Sequence, residues 1–171
     1  LETLPPQLIQ RPRPLAATLQ EEVRKHIEAF TSQGWLQYAS QGAYASPTLY
    51  ERKPDGKLRM LNDLRRINAH IKKSTVPQPH VHNAIQQLQG YKLFAELDWI
   101  TAYHQIPIDE QSQERLAMAT PFGLFRPRFL PEGVAVGSGL MMAMVYQIFK
   151  DFGQWVVAIH DNVLIAAYDT A

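Results

Sequence analysis

The sequence predicts an α+β fold in which helices pack on an antiparallel sheet. A run that begins near Thr18 repeats its apolar residues at helical spacing, which indicates an amphipathic helix. Two further segments have apolar runs of strand length on either side of turn residues, at Pro54-Asp55-Gly56 and at His160-Asp161-Asn162. Helices and strands alternate irregularly and without internal repeats, and an α+β arrangement fits that order best.

The length and composition are those of a small globular unit. The chain has 171 residues, of which 46% are hydrophobic, which is enough for one domain with a sizeable core and a small lobe. No apolar run approaches the roughly 20 residues that a membrane span requires, and the first residues lack the pattern of a signal peptide. We therefore expect an intracellular protein that does not contact a membrane. The absence of cysteine excludes disulfides and thiolate metal sites.

The first elements along the chain are an arm and a helix. Prolines at four positions between Pro5 and Pro14 predict an extended arm without regular structure. Thr18 and Glu21 form a capping-box pattern at the start of the helix, and Gly34 is a typical residue to end it. The apolar face of this helix consists of Leu19, Val23, Ile27 and Phe30.

A hairpin with a basic segment is predicted next. Turn residues at Pro54-Asp55-Gly56 join two predicted strands, residues 48–52 and 57–61. Residues 52–73 contain eight basic side chains against two acidic ones. Such a segment is suited to a phosphate backbone or a triphosphate, although a solvated charged surface produces the same pattern.

The second half is predicted to consist of a helix, a strand, a second helix and a hairpin. Pro79 can start a helix that places Leu88 inward and ends at Gly90. Residues 92–99 alternate as a strand, and residues 138–152 are long and apolar enough for a buried helix. The hairpin around the tip residues His160-Asp161-Asn162 completes the chain.

Two carboxylates stand at the ends of predicted strands. Asp98 ends an apolar strand, and Asp161 lies beside Asn162 at the tip of the last hairpin. If these strands share a sheet edge, the two carboxylates are suited to hold the paired divalent ions that phosphoryl transfer uses. Each acid alone is more often a turn former, because Asp and Asn favour turns. His80 and His82 have no second ligand pair and are assigned to a surface loop.

Longer strings of residues match a known family, and they follow one another in the family's order. Residues 45–68 read Ala-Ser-Pro-Thr-Leu-Tyr-Glu-Arg-Lys-Pro-Asp-Gly-Lys-Leu-Arg-Met-Leu-Asn-Asp-Leu-Arg-Arg-Ile-Asn, and residues 97–108 read Leu-Asp-Trp-Ile-Thr-Ala-Tyr-His-Gln-Ile-Pro-Ile. Thr120-Pro-Phe-Gly-Leu, Pro131-Glu-Gly and the last hairpin follow. Together they resemble the reverse transcriptases of gypsy-type LTR retrotransposons and retroviruses, and their order is more specific than any single motif.

The resemblance implies a domain organisation. An N-terminal arm and fingers would occupy residues 1–92, and a palm with a ferredoxin-like antiparallel sheet would occupy residues 93–171. A fingers segment would re-enter at about residues 112–131. Thumb, connection and RNase H parts would lie outside this chain, in the rest of a Pol polyprotein. The expected location is a cytoplasmic particle or the nucleus.

The resemblance also implies roles for residues at matching positions. Asp98 and Asp161 would bind two Mg²⁺ ions, or Mn²⁺ in their place, which activate the primer 3′ hydroxyl and neutralise the leaving pyrophosphate. Lys53 and Arg59 would grip the triphosphate of an incoming deoxynucleoside triphosphate, and Tyr103 would exclude a 2′ hydroxyl. The implied macromolecular partner is an RNA or DNA template with its primer. Template contact and local folding would involve Asp63, Arg65 and Asn68.

Four departures from the family pattern surround the implied active site. The last hairpin reads Ile-His-Asp-Asn at residues 159–162 where the family has Tyr-x-Asp-Asp, so its second acid is the amide Asn162. An amide coordinates through its carbonyl oxygen but brings no charge, and hard divalent ions favour carboxylates. Glu132 adds a negative charge to the nucleotide-binding residues, near the expected triphosphate. Ser138 and Met142 replace a proline and a glutamine of the family.

The departures leave three interpretations of function open. In the first, the domain still synthesises DNA weakly, with Asp98 and Asp161 holding metal and Asn162 giving partial coordination. In the second, it is a catalytically inactive relic that binds nucleic acid or a partner protein through the basic segment 52–73. In the third, it belongs to a decaying element and has no function.

Pro127 also lies inside a predicted strand, where it would remove a ladder hydrogen bond.

Overall fold

The computed structural model describes residues 4–72, 83, 86–153, 155–159 and 162–168, and describes Ile159 by its backbone alone. The described strands are β1 Leu8–Ile9, β2 Leu36–Ala39, β3 Tyr44–Arg52, β4 Leu58–Asn62, β5 Leu93–Asp98, β6 Met118–Thr120, β7 Gly123–Pro127, β8 Val156–Ile159 and β9 Asn162–Ala167. The described helices are α1 Gln20–Ser32, α2 Arg65–Asn68, α3 Glu110–Arg115 and α4 Gly137–Phe149, with short 3₁₀ helices at Ala17–Leu19 and Ala102–Gln105.

The chain divides into two compact units. The first comprises Leu1–Lys72 and Tyr103–Ala135, and the second comprises Lys73–Ala102 and Val136–Ala171. Each unit combines its own sheet with separate helices, which confirms the predicted α+β class. The predicted domain ranges, 1–92 and 93–171 with re-entry at about 112–131, stay a prediction. Within the described part of the chain, no helix is long and apolar enough to cross a membrane.

The first unit is built on a six-stranded mixed sheet. Five strands run in the order β1-β3-β6-β7-β2, and β4 pairs with β3 outside this path. The pairs β3–β4, β6–β7 and β2–β7 are antiparallel, whereas β3 lies parallel to both β1 and β6. The expectation of an antiparallel sheet is therefore wrong for this unit. Parallel neighbours need a long connection rather than a hairpin, and local sequence patterns do not reveal such connections.

Helix α1 packs its apolar face against this sheet, as predicted. Val23 and Ile27 are buried, and Gly34 ends the helix with a φ of 76°. The expected capping box is wrong, because Thr18 lies inside a 3₁₀ turn and Leu19 takes the N-cap position without a side-chain hydrogen bond. The core below the helix consists of Val23, Ile27, Leu36, Leu58, Met118 and Phe125.

The predicted hairpin at residues 48–61 is confirmed by the antiparallel pairing of β3 and β4. Its turn closes through two backbone hydrogen bonds, from the N–H of Gly56 to the carbonyl of Lys53 at 2.8 Å and from the N–H of Lys53 to the carbonyl of Lys57 at 2.9 Å. Gly56 has a φ of 81°, a conformation that glycine adopts at little cost. The turn therefore fixes the register of the strand that carries Arg59.

The N-terminal arm is less irregular than predicted. Leu8 and Ile9 form a short strand parallel to β3, and the Leu8 N–H donates to the carbonyl of Ala43 at 2.9 Å. The hydroxyl of Tyr44 also donates to the carbonyl of Pro5 at 2.8 Å. The exposed edge of β3 can pair with any extended segment, so an arm predicted only to be extended becomes a strand there.

The second unit contains a three-stranded antiparallel sheet in the order β5-β9-β8. This confirms the predicted strand at residues 92–99, the final hairpin and the antiparallel palm sheet. Leu88 is buried and packs with Val157 and Ala166. The helix predicted to start at Pro79 lies largely outside the described residues.

Helix α4 confirms the apolar helix predicted for residues 138–152, although only one of its faces is buried. Met141 and Val145 are almost fully buried, whereas Leu140 and Tyr146 are exposed.

In the first unit, Pro127 is the last residue of β7 and lies opposite Leu36. A proline at a strand end leaves the ladder before it intact, so the expected disruption is confined to one position.

Candidate functional site

The end of β5 carries the predicted catalytic residue Asp98 in the second unit. Strands β5 and β9 pair over six residues, and Asp98 lies opposite Asn162 in this register. Directly opposed residues of an antiparallel pair have Cα atoms about 4.5–5.5 Å apart and side chains on the same face. Both side chains are exposed. The structure therefore brings a carboxylate and an amide together at one end of the sheet.

These two residues fit a divalent-ion site in type of donor but not in charge. A carboxylate and an amide both offer oxygen atoms, which hard ions such as Mg²⁺ prefer. Asp161, the second predicted metal ligand, lies outside the described residues, as does His160. Among the residues that the structure describes, no cluster of three or more His, Asp or Glu side chains is arranged for a metal ion. Asn162 therefore leaves this strand end with one negative charge fewer than a second acid would give.

In the first unit, two residues predicted to bind the nucleotide form an ion pair with each other. Arg59 lies on β4, and its Nη2 donates a hydrogen bond to Oε2 of Glu132. The side chains are 44% and 41% exposed, so the pair lies at the surface and is open to ligands. The predicted cation for the triphosphate therefore already has an anionic partner within the chain.

Asn68, a predicted template-binding residue, holds the loop that carries Glu132. Its side-chain Nδ2 donates to the carbonyl of Gly133 at 2.8 Å, and the N–H of Ala135 donates to its Oδ1 at 2.9 Å. Both halves of the amide are used by one loop. Asn68 thus contributes to local folding, which is one of the two roles that the family resemblance implied.

Asp63, another predicted template-binding residue, is the centre of a cluster of charges. Its carboxylate is only 6% exposed and accepts hydrogen bonds from Nε of Arg65 at 2.8 Å and from Nη2 of Arg13 at 2.6 Å. Hydrogen bonds from Arg65, and then from Arg13, hold the pKa of Asp63 well below its usual value. No local pattern around Arg13 indicates this contact, because the pair joins residues 50 positions apart.

Lys53 and Tyr103 are the remaining residues predicted to bind the nucleotide. Lys53 is exposed at the turn between β3 and β4. Tyr103 lies half-buried in the 3₁₀ helix Ala102–Gln105. The turn of the hairpin therefore exposes the Lys53 side chain to solvent, while Arg59 lies on β4 of the same hairpin.

Acidic side chains neutralise part of the basic segment 52–73. A surface that binds a phosphate backbone needs cations that the protein does not itself neutralise. Pairing of this kind weakens the interpretation of the segment as a general nucleic-acid surface. Among the residues that the structure describes, carboxylates pair with basic side chains of this segment in the pairs Arg52–Glu22, Lys57–Asp55, Arg59–Glu132 and Arg65–Asp63.

His104 is a further polar residue close enough to Glu132 to sense its charge. Its ring stacks on Trp35, with ring centroids 5.0 Å apart and an interplanar angle of 26°. Burial lowers the pKa of His104, and the charge of Glu132 acts in the opposite direction. The cation that pairs with Glu132 is the guanidinium of Arg59.

The order of the sheets and helices is that of the fingers and palm of a polymerase. The family described as reverse transcriptase (RNA-dependent DNA polymerase) matches residues 51–169. This match covers more than half of the chain, and the chain belongs to the reverse transcriptase family. It extends from the hairpin that carries Arg59 through Asp98 to the final hairpin.

Related polyproteins confirm the predicted resemblance to LTR retroelements. The Transposon Tf2-7 and Tf2-3 polyproteins of Schizosaccharomyces pombe are each 28% identical to this chain over 127 residues. The aligned region covers 74% of this chain but only 10% of either polyprotein. The chain therefore spans about a tenth of the length of the polyproteins it matches.

Solved structures with the same fold include the protease-reverse transcriptase of prototype foamy virus. One crystal structure of that protein has a TM-score of 0.85 and 22% identity, and covers 97% of this chain and 22% of the viral one. A foamy viral protease-reverse transcriptase in complex with an RNA/DNA hybrid has a TM-score of 0.86 and 20% identity, covering 98% of this chain and 22% of its own. Identities this low show a common fold and do not transfer a function.

Proposed function

We propose that this chain is the fingers and palm segment of a retroelement polyprotein. Its reaction is the addition of deoxynucleotides to a primer, directed by an RNA or DNA template, at a rate that Asn162 limits. The observation that carries this proposal is the strand register that sets Asp98 opposite Asn162. Membership of the reverse transcriptase family and the polyprotein relatives support it.

The residues of the second unit would define where the reaction occurs. Bound Mg²⁺, held by Asp98 and Asp161, would supply the Lewis acid that activates the primer hydroxyl and neutralises the departing pyrophosphate. Asn162 contributes a neutral oxygen at this strand end, where a carboxylate would bring a full negative charge. Because metal affinity depends on the number of charged ligands, we expect weak ion binding and slow synthesis.

The residues of the first unit would bind the substrate. Lys53 and Arg59 contact the phosphates of the deoxynucleoside triphosphate, and Tyr103 lies against the sugar, where its ring excludes a 2′ hydroxyl. Asp63, Arg65 and Asn68 hold neighbouring segments in place and so shape the surface that contacts the template. Support for this last role comes from the hydrogen bonds that tie Asp63 to two arginines and Asn68 to the loop 133–135.

Primer extension by the full polyprotein that carries this chain tests the proposal. We expect slow extension by the natural protein, faster extension by Asn162→Asp, and none by Asp98→Asn. A natural protein that neither extends a primer nor gains activity from Asn162→Asp, while it still binds primer and template, would contradict the assignment of synthesis to this chain.

A binding function without catalysis is the second candidate, and it rests on the basic segment 52–73. It predicts salt-sensitive nucleic-acid binding that is lost when Lys53, Arg59 and Arg65 are neutralised together. The pairing of Arg59 and Arg65 with carboxylates gives this candidate less support than synthesis has. Filter binding of the triple variant at several salt concentrations distinguishes the two.

A further inference from the structure

The ion pair between Arg59 and Glu132 has a bearing on nucleotide affinity as well as on folding. Arg59 projects from β4, where its cross-strand neighbour is Glu51. Its hydrogen bond nevertheless goes to Glu132, which lies 73 positions away in sequence. Because both side chains are more than one third exposed, the pair is held by mutual attraction at the surface and not by burial. Such a pair can open when a stronger anion arrives.

The loop that carries Glu132 is anchored on both sides of this residue. Leu130 is 2% exposed and its N–H donates to the carbonyl of Ile106 at 2.8 Å, which anchors the loop on one side of Glu132. Asn68 binds Gly133 and Ala135 on the other side. A carboxylate on an anchored loop loses little conformational freedom when it pairs, so it competes for Arg59 more effectively than a mobile one.

The chemistry of the two partners makes the competition direct. A guanidinium binds carboxylate and phosphate oxygens with the same planar set of N–H donors. A phosphate that approaches Arg59 must therefore replace the Glu132 carboxylate. It is also repelled by that carboxylate as long as the side chain stays nearby, because like charges at short range raise the free energy of the complex.

We propose that Glu132 sets the phosphate affinity of this chain by occupying Arg59, so that a triphosphate binds only when it displaces the Glu132 carboxylate. This inference rests on the proposed function, because it takes Arg59 as a ligand of the triphosphate. It identifies Glu132 as a residue that lowers nucleotide affinity, whereas a neutral side chain of the same shape would leave Arg59 available. Asn68 is the positioning residue that keeps Glu132 in place.

Binding of inorganic triphosphate to the full 171-residue chain, measured by titration calorimetry without a divalent ion, tests the proposal. Glu132→Gln keeps the size and hydrogen-bonding capacity of the side chain and removes its charge. We expect it to bind inorganic triphosphate at least about threefold more tightly than the natural chain at low ionic strength. The difference should shrink as salt is added, because exposed charges are screened. The same titration with a deoxynucleoside triphosphate should give the same order.

A matched control and a double variant separate competition from a general effect of charge. Glu51→Gln removes a negative charge from the cross-strand neighbour of Arg59 and should leave the affinity close to that of the natural chain. In an Arg59→Gln background, Glu132→Gln should give only the smaller gain that comes from relief of charge repulsion, because the contested cation is gone. A gain of undiminished size in that background, or equal gains from Glu51→Gln and Glu132→Gln, would overturn the proposal.

The remaining outcomes distinguish this inference from the proposed function. Equal affinity of the natural chain and Glu132→Gln, with both binding triphosphate, would overturn the role of Glu132 and leave the substrate assignment intact. No triphosphate binding by either protein would overturn both, since Arg59 would then not be a triphosphate ligand. Circular dichroism of each variant should match that of the natural chain, because Glu132 and Glu51 both lie at the surface.

Discussion

The two predicted site regions, around Arg59 in the first unit and around Asp98 in the second, differ in opposite electrostatic directions from the pattern that the family resemblance implies. In the first unit, Glu132 places a carboxylate on Arg59 of the β3–β4 hairpin. In the second unit, Asn162 lies opposite Asp98 at the start of β9, where the resemblance implies an acid. One change adds a negative charge where phosphates would bind, and the other removes a negative charge where divalent ions would bind.

Under the proposed function, both changes would weaken the attraction for a deoxynucleoside triphosphate and its metal ions. Phosphates bind best to cations that have no internal partner, and divalent ions bind best to carboxylates. Glu132 and Asn162 belong to separate compact units. If the proposed function holds, a change of side-chain charge in each unit lowers the affinity for the ligand, while the described strands β3, β4, β8 and β9 keep regular antiparallel pairing.

The largest effect is expected from restoring the acid in the second hairpin. Asn162→Asp adds a charged ligand beside Asp98, and we expect the affinity of the chain for Mn²⁺ to rise by about 10- to 100-fold. Electron paramagnetic resonance of free Mn²⁺ measures this directly. Asn162→Asp combined with Asp98→Asn serves as the control and should lose most of the gain. An unchanged affinity for Mn²⁺ in Asn162→Asp would contradict the expectation that residue 162 is a metal ligand.

A second prediction concerns the buried charges that stabilise the first unit. Asp63→Asn removes a carboxylate that accepts hydrogen bonds from Arg13 and Arg65, and it should lower the free energy of unfolding by about 1–2 kcal/mol. Urea denaturation measures the change. Asp55→Asn is a suitable control, because it removes only an exposed ion pair with the Lys57 ammonium at 3.7 Å and keeps an oxygen to accept the hydrogen bond from the Lys57 N–H. Equal losses of unfolding free energy in both variants would show that Asp63 and its two arginines stabilise the fold no more than an exposed ion pair does.

The same carboxylate predicts how stability depends on pH. Its pKa is lowered in the folded protein, mainly by hydrogen bonds from Arg65, so the unfolded chain takes up the proton first as the pH falls. The stabilisation from Asp63 is thus fully present above about pH 4, the usual pKa of an aspartate, and decreases below it. As the pH falls below about 4, the natural chain should therefore lose more stability than Asp63→Asn. Parallel pH profiles would contradict the assigned cause.

The smallest effect is expected at the turn of the first hairpin. Gly56 has a φ of 81°, and no atom lies within 4 Å of the position that a Cβ would occupy. Gly56→Ala should therefore cost about 1 kcal/mol through backbone strain alone, without a steric clash. Thermal unfolding followed by circular dichroism measures it. Asn at this position tolerates the left-handed conformation better, so Gly56→Asn should cost less than Gly56→Ala.

Local sequence patterns predicted the elements but not the contacts between distant charges. The apolar spacing of Val23 and Ile27, and the turn residues that end in Gly56, are signals within a few positions, and the structure has the predicted helix and hairpin. The parallel pairing of β1 with β3 had no such signal, since any extended segment can join an open strand edge.

The candidate site shows the same limit. The sequence marked Arg59 and Glu132 separately, through family resemblance, but gave no means to pair residues 73 positions apart. It likewise did not indicate that Arg13 of the arm contacts Asp63. The partner of a long charged side chain depends on its position in the folded chain. That position depends on the order of the strands, which local sequence patterns do not reveal.

Primer extension by the full polyprotein decides whether these two charges limit the reaction. Its rate is compared between the natural sequence and the double variant Glu132→Gln with Asn162→Asp. We predict slow extension by the natural protein, a moderate increase for each single variant, and the fastest extension for the double variant. A natural protein that extends primers as fast as the double variant would contradict the claim that these two charges limit the reaction.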